Sequence, residues 1–218
     1  MRKNKSSKNW IIQQHRDPYF KEAKHSGFRS RSAYKLLELE KKFKFLKSCK
    51  SIIDLGSYPG GWSQVIKKNT KNCKILSLDI KKMREIDGVD FFCCDFQNDG
   101  SKEQILQYFK AKADVLVSDM AANTTGNKDL DCIRTNSLCM DVIEFSRFVV
   151  KNDGVVISKL FNGYDFLDVK KFAEKNLKKL TFLNQNPAKI FQKKLIYTVK
   201  NLRLYKFLKL YISLYGTN

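Results

Sequence analysis

A glycine-rich turn between a predicted strand and a predicted helix constrains the fold of this chain most strongly. Ser51-Ile52-Ile53 is a short apolar run, and Gln64 begins a helical pattern. Between them lies the sequence Asp54-Leu55-Gly56-Ser57-Tyr58-Pro59-Gly60-Gly61-Trp62. Glycines at such a turn let a ligand approach the backbone N–H groups at the start of the helix. The turn therefore predicts an α/β unit that binds a cofactor of the nucleotide type.

Short apolar runs alternate with helical patterns along the rest of the chain. We predict strands over residues 51–55, 74–79, 89–93, 114–118, 154–160, 179–184 and 194–200. We predict helices from Ser30, as the N-cap, to about Phe43 and over 60–69, 101–111, 129–151 and 165–177, with Gly154 as the stop of the long helix. Short β-rich runs separated by helical lengths indicate βαβ units. The fold class is therefore α/β, with a mainly parallel seven-stranded sheet and helices on both faces.

One domain accounts for most of the 218 residues, because this length suits a single α/β core. We predict that the domain spans residues 1–200, with residues 1–9 flexible. Residues 201–218 form a C-terminal amphipathic tail, in which apolar residues recur on one helical face: Leu204, Phe207, Leu208, Tyr211, Ile212 and Tyr215. We expect this tail to pack on the domain, and a partner or membrane-surface role is the alternative.

Positive charge is concentrated at the two ends of the sequence. The chain has 42 Lys and Arg against 22 Asp and Glu, which gives a net charge of +20. Residues 1–50 and residues 170–218 each carry an excess of 11 positive charges, whereas the middle of the chain is close to neutral. This distribution favours a surface for a polyanion, with nucleic acid as the first candidate. The plainer interpretation is solvated lysine.

The positions of cysteine and histidine argue against a disulfide framework, a metal site and a histidine base. The six cysteines contain no C-x-x-C pair, and we predict that they are buried apolar residues in a reducing compartment. Both histidines, His15 and His25, lie in the basic N-terminal region. No apolar run is long enough to span a membrane. We therefore expect a cytoplasmic protein without a metal ion or a membrane span. We also expect a monomer, although no sequence pattern indicates the oligomeric state.

Three features in sequence order narrow the identity of the cofactor. The turn lacks the G-x-G-x-x-G pattern of dinucleotide sites, because Tyr58 stands two residues after Gly56. Asp79 ends the second predicted strand, where a carboxylate can meet ribose hydroxyls, and Asp95 follows the next apolar run and can reach a base. No Gly-Lys-Ser/Thr sequence is present to hold a triphosphate. S-adenosylmethionine, a nucleoside joined to an amino acid without phosphates, fits this pattern. The alternative is that both aspartates only end strands.

Two charged residues, Asp119 and Lys159, each end an apolar predicted strand. In open α/β sheets, ligands bind outside the carboxyl ends of the strands. A lysine directly after a run of apolar residues is unusual there. A catalytic function and a side chain that extends from the sheet edge to water are both consistent with it. We therefore treat both residues as candidate catalytic groups.

Four sequence motifs follow one another along the chain. They are Arg29-Ser30-Arg31-Ser32-Ala33-Tyr34-Lys35-Leu36, Asp54-Leu55-Gly56 to Pro59-Gly60-Gly61-Trp62-Ser63-Gln64, Ser118-Asp119-Met120-Ala121 and Ser158-Lys159-Leu160-Phe161. Together they resemble the FtsJ/RlmE family of ribose methyltransferases. The similarity runs from about Trp10 to about Tyr197 and, with Asp17-Pro18-Tyr19, is greatest to the bacterial enzyme that acts on 23S rRNA. The resemblance implies a Rossmann-like methyltransferase fold and methyl transfer from S-adenosylmethionine to a ribose 2′-OH.

The resemblance also implies functions for individual residues. The family's catalytic residues fall on Lys35, Asp119 and Lys159. Its cofactor positions fall on Gly60, Trp62, Asp79, Asp95 and Asp119, and Gly61 belongs to the same turn. A 2′-OH must lose its proton as it attacks the methyl group, and Lys159 can accept that proton if burial and nearby Lys35 lower its pKa. Asp119 can orient the lysine amine, and no metal is needed.

Two positions depart from the family pattern. Leu195 stands where the family has a glutamate two residues before a tyrosine, here Tyr197. Ala121-Ala122-Asn123 lacks the family's proline, a change that we regard as mild. The missing glutamate is expected to slow catalysis or to weaken RNA positioning. Activity can survive if the other three catalytic residues carry out the proton transfer.

The predicted partner is ribosomal RNA in the large ribosomal subunit. Predicted RNA-binding residues come from both basic ends of the chain and are Arg29, Arg31, Lys193 and Lys194. This partner is compatible with the cytoplasm or with an organelle that holds bacterial-type ribosomes. One alternative is a tRNA ribose methyltransferase. Another, suggested by Leu195, is an RNA-binding or ribosome-assembly factor with weakened catalysis. A nicotinamide-dependent oxidoreductase is disfavoured because the dinucleotide pattern fails.

Overall fold

The computed structural model describes residues 22–23, 25–177, 180–184 and 194–199. Its helices are α1 (Ser32–Phe43), α2 (Gly61–Asn69), α3 (Ser101–Phe109), α4 (Lys128–Val149) and α5 (Phe166–Asn176). Its strands are β1 (Ser51–Leu55), β2 (Lys74–Asp79), β3 (Asp90–Cys93), β4 (Ala113–Ser118), β5 (Val150–Leu160), β6 (Thr181–Asn184) and β7 (Lys194–Val199). The flexible segment predicted over residues 1–9, Lys193 and the tail predicted over residues 201–218 lie outside the described residues.

The seven strands form one sheet in the order β3-β2-β1-β4-β5-β7-β6. Neighbouring strands from β3 to β5 pair in parallel, whereas β7 is antiparallel to both β5 and β6. The chain builds outward from β1 to β3 and then returns to place β4 on the other side of β1. Such a reversal of strand order is typical of doubly wound α/β folds. The predicted α/β class, the seven strands and the mainly parallel sheet are confirmed.

Apolar side chains on the two faces of the sheet form separate cores. Ile52 and Ile53 of β1 are both fully buried but belong to opposite faces, because side chains alternate along a strand. The face of Ile52 packs against α1 and α2 through residues such as Leu36 and Val65. The face of Ile53 packs against α3 and α4 through residues such as Ile105. Helices therefore cover both faces, as predicted. In the described ranges, no helix is both long and apolar enough to cross a bilayer.

Two predicted helix boundaries are wrong. α1 begins at Ser32 with Arg31 in the N-cap position, and no side chain caps it. The hydroxyl of Ser30 pairs instead with Ser32 Oγ at 2.5 Å. Gly154 lies inside β5 and does not end α4. A β carbon at Gly154 would approach the backbone oxygen of Asp114 to 2.7 Å, so close backbone packing is the reason for glycine at this position.

The cysteines are less uniformly buried than predicted. Three of them are buried, two are half-buried and Cys93 is exposed. Cys93 is the last residue of β3, which is one of the two edge strands of the sheet. An edge strand is covered on fewer sides than a central one, and this explains the exposure of Cys93. The prediction that all six cysteines are buried is therefore wrong.

Candidate active site

The carboxyl ends of three parallel strands bring the candidate site together. Leu55 of β1 pairs with Ser118 of β4, which in turn pairs with Ser158 of β5. Asp119 and Lys159 directly follow those two serines. The register of the sheet therefore places a carboxylate and an amine next to each other, at the edge where open α/β sheets bind ligands.

Lys35, Asp119 and Lys159 form one charged cluster. Lys35 Nζ lies 3.4 Å from both carboxylate oxygens of Asp119. Lys159 Nζ lies 3.1 Å from Asp119 Oδ1 and donates to the backbone oxygen of Asp119 at 2.5 Å. The Lys159 side chain is only 7% exposed, compared with 27% for Lys35. The structure thus brings the three predicted catalytic residues together, and Lys159 does not extend into water.

Helix α1 carries Lys35 to this edge from a distant part of the sequence, 84 residues before Asp119. Leu36 and Leu39 of α1 are buried in the core and fix the helix against the sheet. Trp62 Nε1 donates to the backbone oxygen of Ser32 at 2.8 Å and joins the start of α1 to α2. Trp62, a predicted cofactor residue, therefore also helps to position the helix that carries Lys35.

The pKa of Lys159 lies below that of an ordinary lysine. Burial is the main cause, and the positive charge of Lys35 adds to it, whereas the carboxylate of Asp119 opposes the shift. A lowered pKa increases the neutral fraction of the amine near neutral pH, and only the neutral amine can accept a proton. Lys159 thus has the environment of a general base, with Asp119 holding its amine in place.

The glycine turn after β1 is fixed by contacts that leave no room for side chains. Gly56 has a φ of +70° and its N–H donates to the backbone oxygen of Leu78 at 2.8 Å. A β carbon at Gly56 would clash with Met120 Cγ, and one at Gly61 would clash with Ser30 Oγ. Met120 and Ser30 therefore pack directly against the backbone at the two glycines and hold the turn in place.

A buried carboxylate lies beside this turn. The turn lines a small cleft together with Ser32, Asp54 and Asp119, and Gly60, with a φ of +108°, precedes the first residue of α2. Asp54 is 1% exposed and accepts a hydrogen bond from Ser63 Oγ at 2.6 Å. Burial raises the pKa of Asp54 to about 7, against the hydrogen bond from Ser63, and nearby carboxylates add to the increase. A cationic group in the cleft would favour the ionised form of Asp54.

Asp79 and Asp95 each accept hydrogen bonds from backbone N–H groups of a turn. Asp79 Oδ2 accepts from Tyr58 N at 2.9 Å, and Asp79 Oδ1 accepts from Lys81 N at 2.8 Å. Asp95 Oδ1 accepts from Gln97 N at 3.0 Å. Asp79 therefore lies against the glycine turn, while contacts of both residues with a nucleoside stay predictions. Across the part of the chain that the structure describes, no cluster of His, Cys, Asp and Glu side chains could hold a metal ion.

Two buried polar residues of α4, Thr135 and Asn136, hold the loops that follow β4 and β5. Thr135 Oγ1 accepts from Ala122 N at 3.3 Å. Asn136 Oδ1 accepts from Phe161 N at 2.8 Å, and Asn136 Nδ2 donates to the backbone oxygen of Phe161 at 3.1 Å. Thr135 is 1% exposed and Asn136 is fully buried. Neither residue was among the predicted site residues, and the available signal was two adjacent polar residues within a long helix.

Arg29, a predicted RNA-binding residue, makes hydrogen bonds within the protein. Its guanidinium donates to the backbone oxygens of Pro59, Arg84 and Glu85 at 3.3, 2.6 and 2.7 Å. Its backbone N–H also donates to Gln64 Oε1 at 2.8 Å. Arg29 therefore ties the glycine turn to the segment after β2, and a contact with RNA stays a prediction.

Three other positions singled out from the sequence lie near the charged cluster. Arg31 precedes α1, one helical turn before Lys35. Lys194 of β7 pairs in register with Leu160, and Leu195 pairs with Lys159. The backbone of position 195, where the family has its glutamate, is therefore next to the candidate base.

The sheet order with an antiparallel β7, the glycine turn after β1 and the charged cluster beyond β4 and β5 define a Rossmann-like methyltransferase. The sequence model of the FtsJ-like methyltransferases matches residues 28–186. The chain belongs to this family and is a methyltransferase.

Curated relatives and solved structures agree with this assignment. Ribosomal RNA large subunit methyltransferase E of Pelagibacter ubique (strain HTCC1062) is 44% identical over 180 residues, which cover 83% of this chain and 89% of the relative. The protein of that name from Rickettsia akari (strain Hartford) is 47% identical over 164 residues, with 72% of each covered. A Plasmodium falciparum protein assigned to the ribosomal RNA methyltransferases is 28% identical, with a TM-score of 0.70 over 79% of this chain and 97% of that chain. Human methyltransferase-like protein 13, solved in complex with SAH, shares the fold at 11% identity and a TM-score of 0.53, over 73% of this chain and 77% of that one.

Proposed function

We propose that the protein transfers a methyl group from S-adenosylmethionine to a ribose 2′-OH of 23S rRNA in the large ribosomal subunit. The observation that carries this proposal is the cluster of Lys35, Asp119 and Lys159, next to the cleft beside the glycine turn. The names of the Pelagibacter and Rickettsia relatives support ribosomal RNA over tRNA as the substrate. Such a substrate supports a cytoplasmic location, with an organelle that holds bacterial-type ribosomes as the alternative.

The residues that line the cleft support S-adenosylmethionine as the cofactor. The cofactor carries a sulfonium and an ammonium group, and the buried carboxylate of Asp54 supplies the negative charge that such groups need. Gly56 and Gly61 line the cleft together with Asp119, so the amino acid part of the cofactor would lie against the glycine turn. Asp79, held against the turn by Tyr58 N, is the residue that would accept hydrogen bonds from the ribose hydroxyls.

The cluster supplies proton transfer and alignment. When bound, S-adenosylmethionine would supply a methyl group that its sulfonium already activates, and S-adenosylhomocysteine would be the leaving group. The neutral Nζ of Lys159 accepts the 2′-OH proton while the oxygen bonds to the methyl carbon. Asp119 stabilises the resulting ammonium, and the nearby charge of Lys35 favours release of the proton to solvent afterwards. Fixed positions for the hydroxyl and the amine lower the entropic part of the barrier.

The main alternative is an RNA-binding factor with weakened catalysis, suggested by Leu195. Lys35, Asp119 and Lys159 contact one another directly, and none of these contacts involves position 195. The proton transfer described above therefore needs no glutamate at that position. We favour the enzyme for this reason, and for the methyltransferase names of relatives that match most of the chain.

Transfer of labelled methyl groups tests the proposal. The protein is incubated with labelled S-adenosylmethionine and either tRNA or large ribosomal subunits from cells that lack this methyltransferase, and the label is mapped to a nucleotide and an atom. We expect one 2′-O-methylated nucleotide in 23S rRNA. Label on tRNA alone would favour the tRNA alternative. Intact cofactor binding without any transfer would favour the binding factor.

A further inference from the structure

An aromatic ring without a partner lies in the loop between β5 and α5, residues 161–165. Tyr164 in this loop is 87% exposed, the highest value for a large hydrophobic residue in the described ranges. Within the same ranges, no hydrogen bond, ion pair or ring contact involves its side chain. Leaving an aromatic side chain in water forgoes the stabilisation that its burial would provide, so the fold itself gives no reason for a ring here.

The backbone that carries Tyr164 is fixed at both ends. Asn136 hydrogen-bonds both backbone polar groups of Phe161, and its Nδ2 also donates to Asp165 Oδ1 at 2.7 Å. Gly163 lies against α4 so closely that a β carbon there would clash with Cys132 Sγ. A ring held out from an anchored loop has little conformational freedom to lose when a ligand covers it.

The position of the loop indicates what the ligand is. The loop begins directly after the strand of Lys159, at the carboxyl edge of the sheet, and Tyr164 is five residues beyond that lysine. Five residues span at most about 18 Å, so Tyr164 is within reach of an RNA strand whose ribose is bound at Lys159. Proteins recognise single-stranded RNA largely by stacking unpaired bases on aromatic side chains. Asp165 directs its carboxylate to Asn136, an arrangement that limits repulsion of a phosphate backbone.

We infer that Tyr164 is a platform on which an unpaired RNA base flanking the target ribose stacks. The inference rests on the proposed function, since it assigns the loop to the same RNA. Stacking on Tyr164 would fix the strand next to Lys159 and add affinity that does not depend on the identity of the base.

A matched pair of variants tests the ring itself. Tyr164→Phe keeps the ring, whereas Tyr164→Leu keeps an apolar side chain of similar length without a ring. Loss of one stacking contact weakens binding by roughly 5- to 160-fold. We expect Tyr164→Leu to raise the KM for large ribosomal subunits by that factor, with kcat at saturating subunits and the Kd for S-adenosylmethionine unchanged. Tyr164→Phe should stay within about twofold of the wild type, because each aromatic face stacks similarly.

Binding of naked RNA provides a second measurement. The Tyr164→Trp variant gains one indole. The fluorescence that this indole adds to that of the wild type should be quenched by single-stranded oligouridylate. Absence of this quenching, an unchanged KM in Tyr164→Leu, or equal impairment of the Phe and Leu variants would each overturn the inference. Such results with an active wild type leave the proposed function intact. A wild type that methylates no ribosomal RNA removes the proposed function and this inference together.

Discussion

At the scale of single residues, burial determines what the charged groups of the site can do. Burial lowers the pKa of Lys159 and raises the pKa of Asp54 to about 7, so both shifts favour the neutral form. A neutral lysine is ready to accept a proton. A carboxyl group with a pKa near neutrality gains its charge when a cation binds beside it. The two buried groups thus suit the two steps that methyl transfer requires, deprotonation and cofactor binding.

Asp54→Asn tests the environment of this carboxyl group. The folded-state pKa of about 7 lies above the ordinary value of 3.8. The neutral group therefore stabilises the fold below about pH 4, and this contribution is lost as the pH rises through 7. We expect Asp54→Asn to melt at a higher temperature than the wild type at pH 8, with a smaller difference at pH 5, because the contribution is lost progressively between about pH 4 and pH 7. Thermal melts at both pH values measure this difference.

Asp114 provides the control of opposite sign. Burial opposes the shift, but hydrogen bonds from Lys151 and from the backbone of Lys50 and Ser51 lower the pKa of Asp114. Its ionised form stabilises the fold at neutral pH, a contribution that is lost as the pH falls through the lowered pKa. Asp114→Asn should therefore lower the melting temperature at pH 8. The same pH dependence in both variants would contradict the assignment of a buried, neutral Asp54.

At the scale of elements, the apolar runs predicted all seven strands because a sheet covered on both faces needs apolar residues throughout. The direction of β7 did not follow from the sequence, since apolar runs of parallel and antiparallel strands look alike. The junction of α4 and β5 was misplaced because Gly154 marks close strand packing as well as helix ends.

The candidate site was also predictable in part from the apolar runs. Charged residues after apolar strands stand out, and Lys35, Asp119 and Lys159 were found through such patterns and the family motifs. The hydrogen bonds of Arg29 and Asn136 join segments 25 or more residues apart and depend on tertiary geometry that no local pattern encodes.

Asn136→Ala tests whether α4 positions the catalytic loops. Removing the amide takes away its two hydrogen bonds to the N–H and C=O of Phe161, at about 0.5–1.5 kcal/mol for each bond. A displaced loop also moves Lys159, so we expect kcat to fall roughly ten- to one hundredfold while the Kd for S-adenosylmethionine is unchanged. Steady-state kinetics and calorimetry measure the two quantities.

Asn127→Ala is the matched control on the same helix. Asn127 caps the start of α4 by accepting from Asp129 N and Leu130 N, and its loss costs about 1 kcal/mol of stability. This variant should melt earlier and keep its kcat. If both asparagine variants lose the same activity, Asn136 supports only the stability of the fold.

At the scale of the whole molecule, the net charge of +20 would favour the encounter with the RNA of the proposed function. Each phosphate contact by Lys or Arg releases counterions, so the logarithm of rRNA affinity should fall linearly with the logarithm of salt concentration. The expected slope is roughly −0.7 for each contact with single-stranded RNA. Filter binding from low to high salt measures the slope. An affinity independent of salt would show that the basic ends of the chain do not hold phosphates.

The most direct test compares two lysines of the same strand. Lys159 lies at the carboxyl end of β5 against Asp119, whereas Lys151 lies near the other end and pairs with Asp114 at 2.6 Å. We expect Lys159→Ala to reduce methyl transfer to 23S rRNA by at least roughly 100-fold, the contribution of a general base, and to leave cofactor binding intact. Lys151→Ala should keep full activity and lose at most about 1 kcal/mol of stability. Methyl transfer at the wild-type rate in Lys159→Ala would contradict the proposed chemistry.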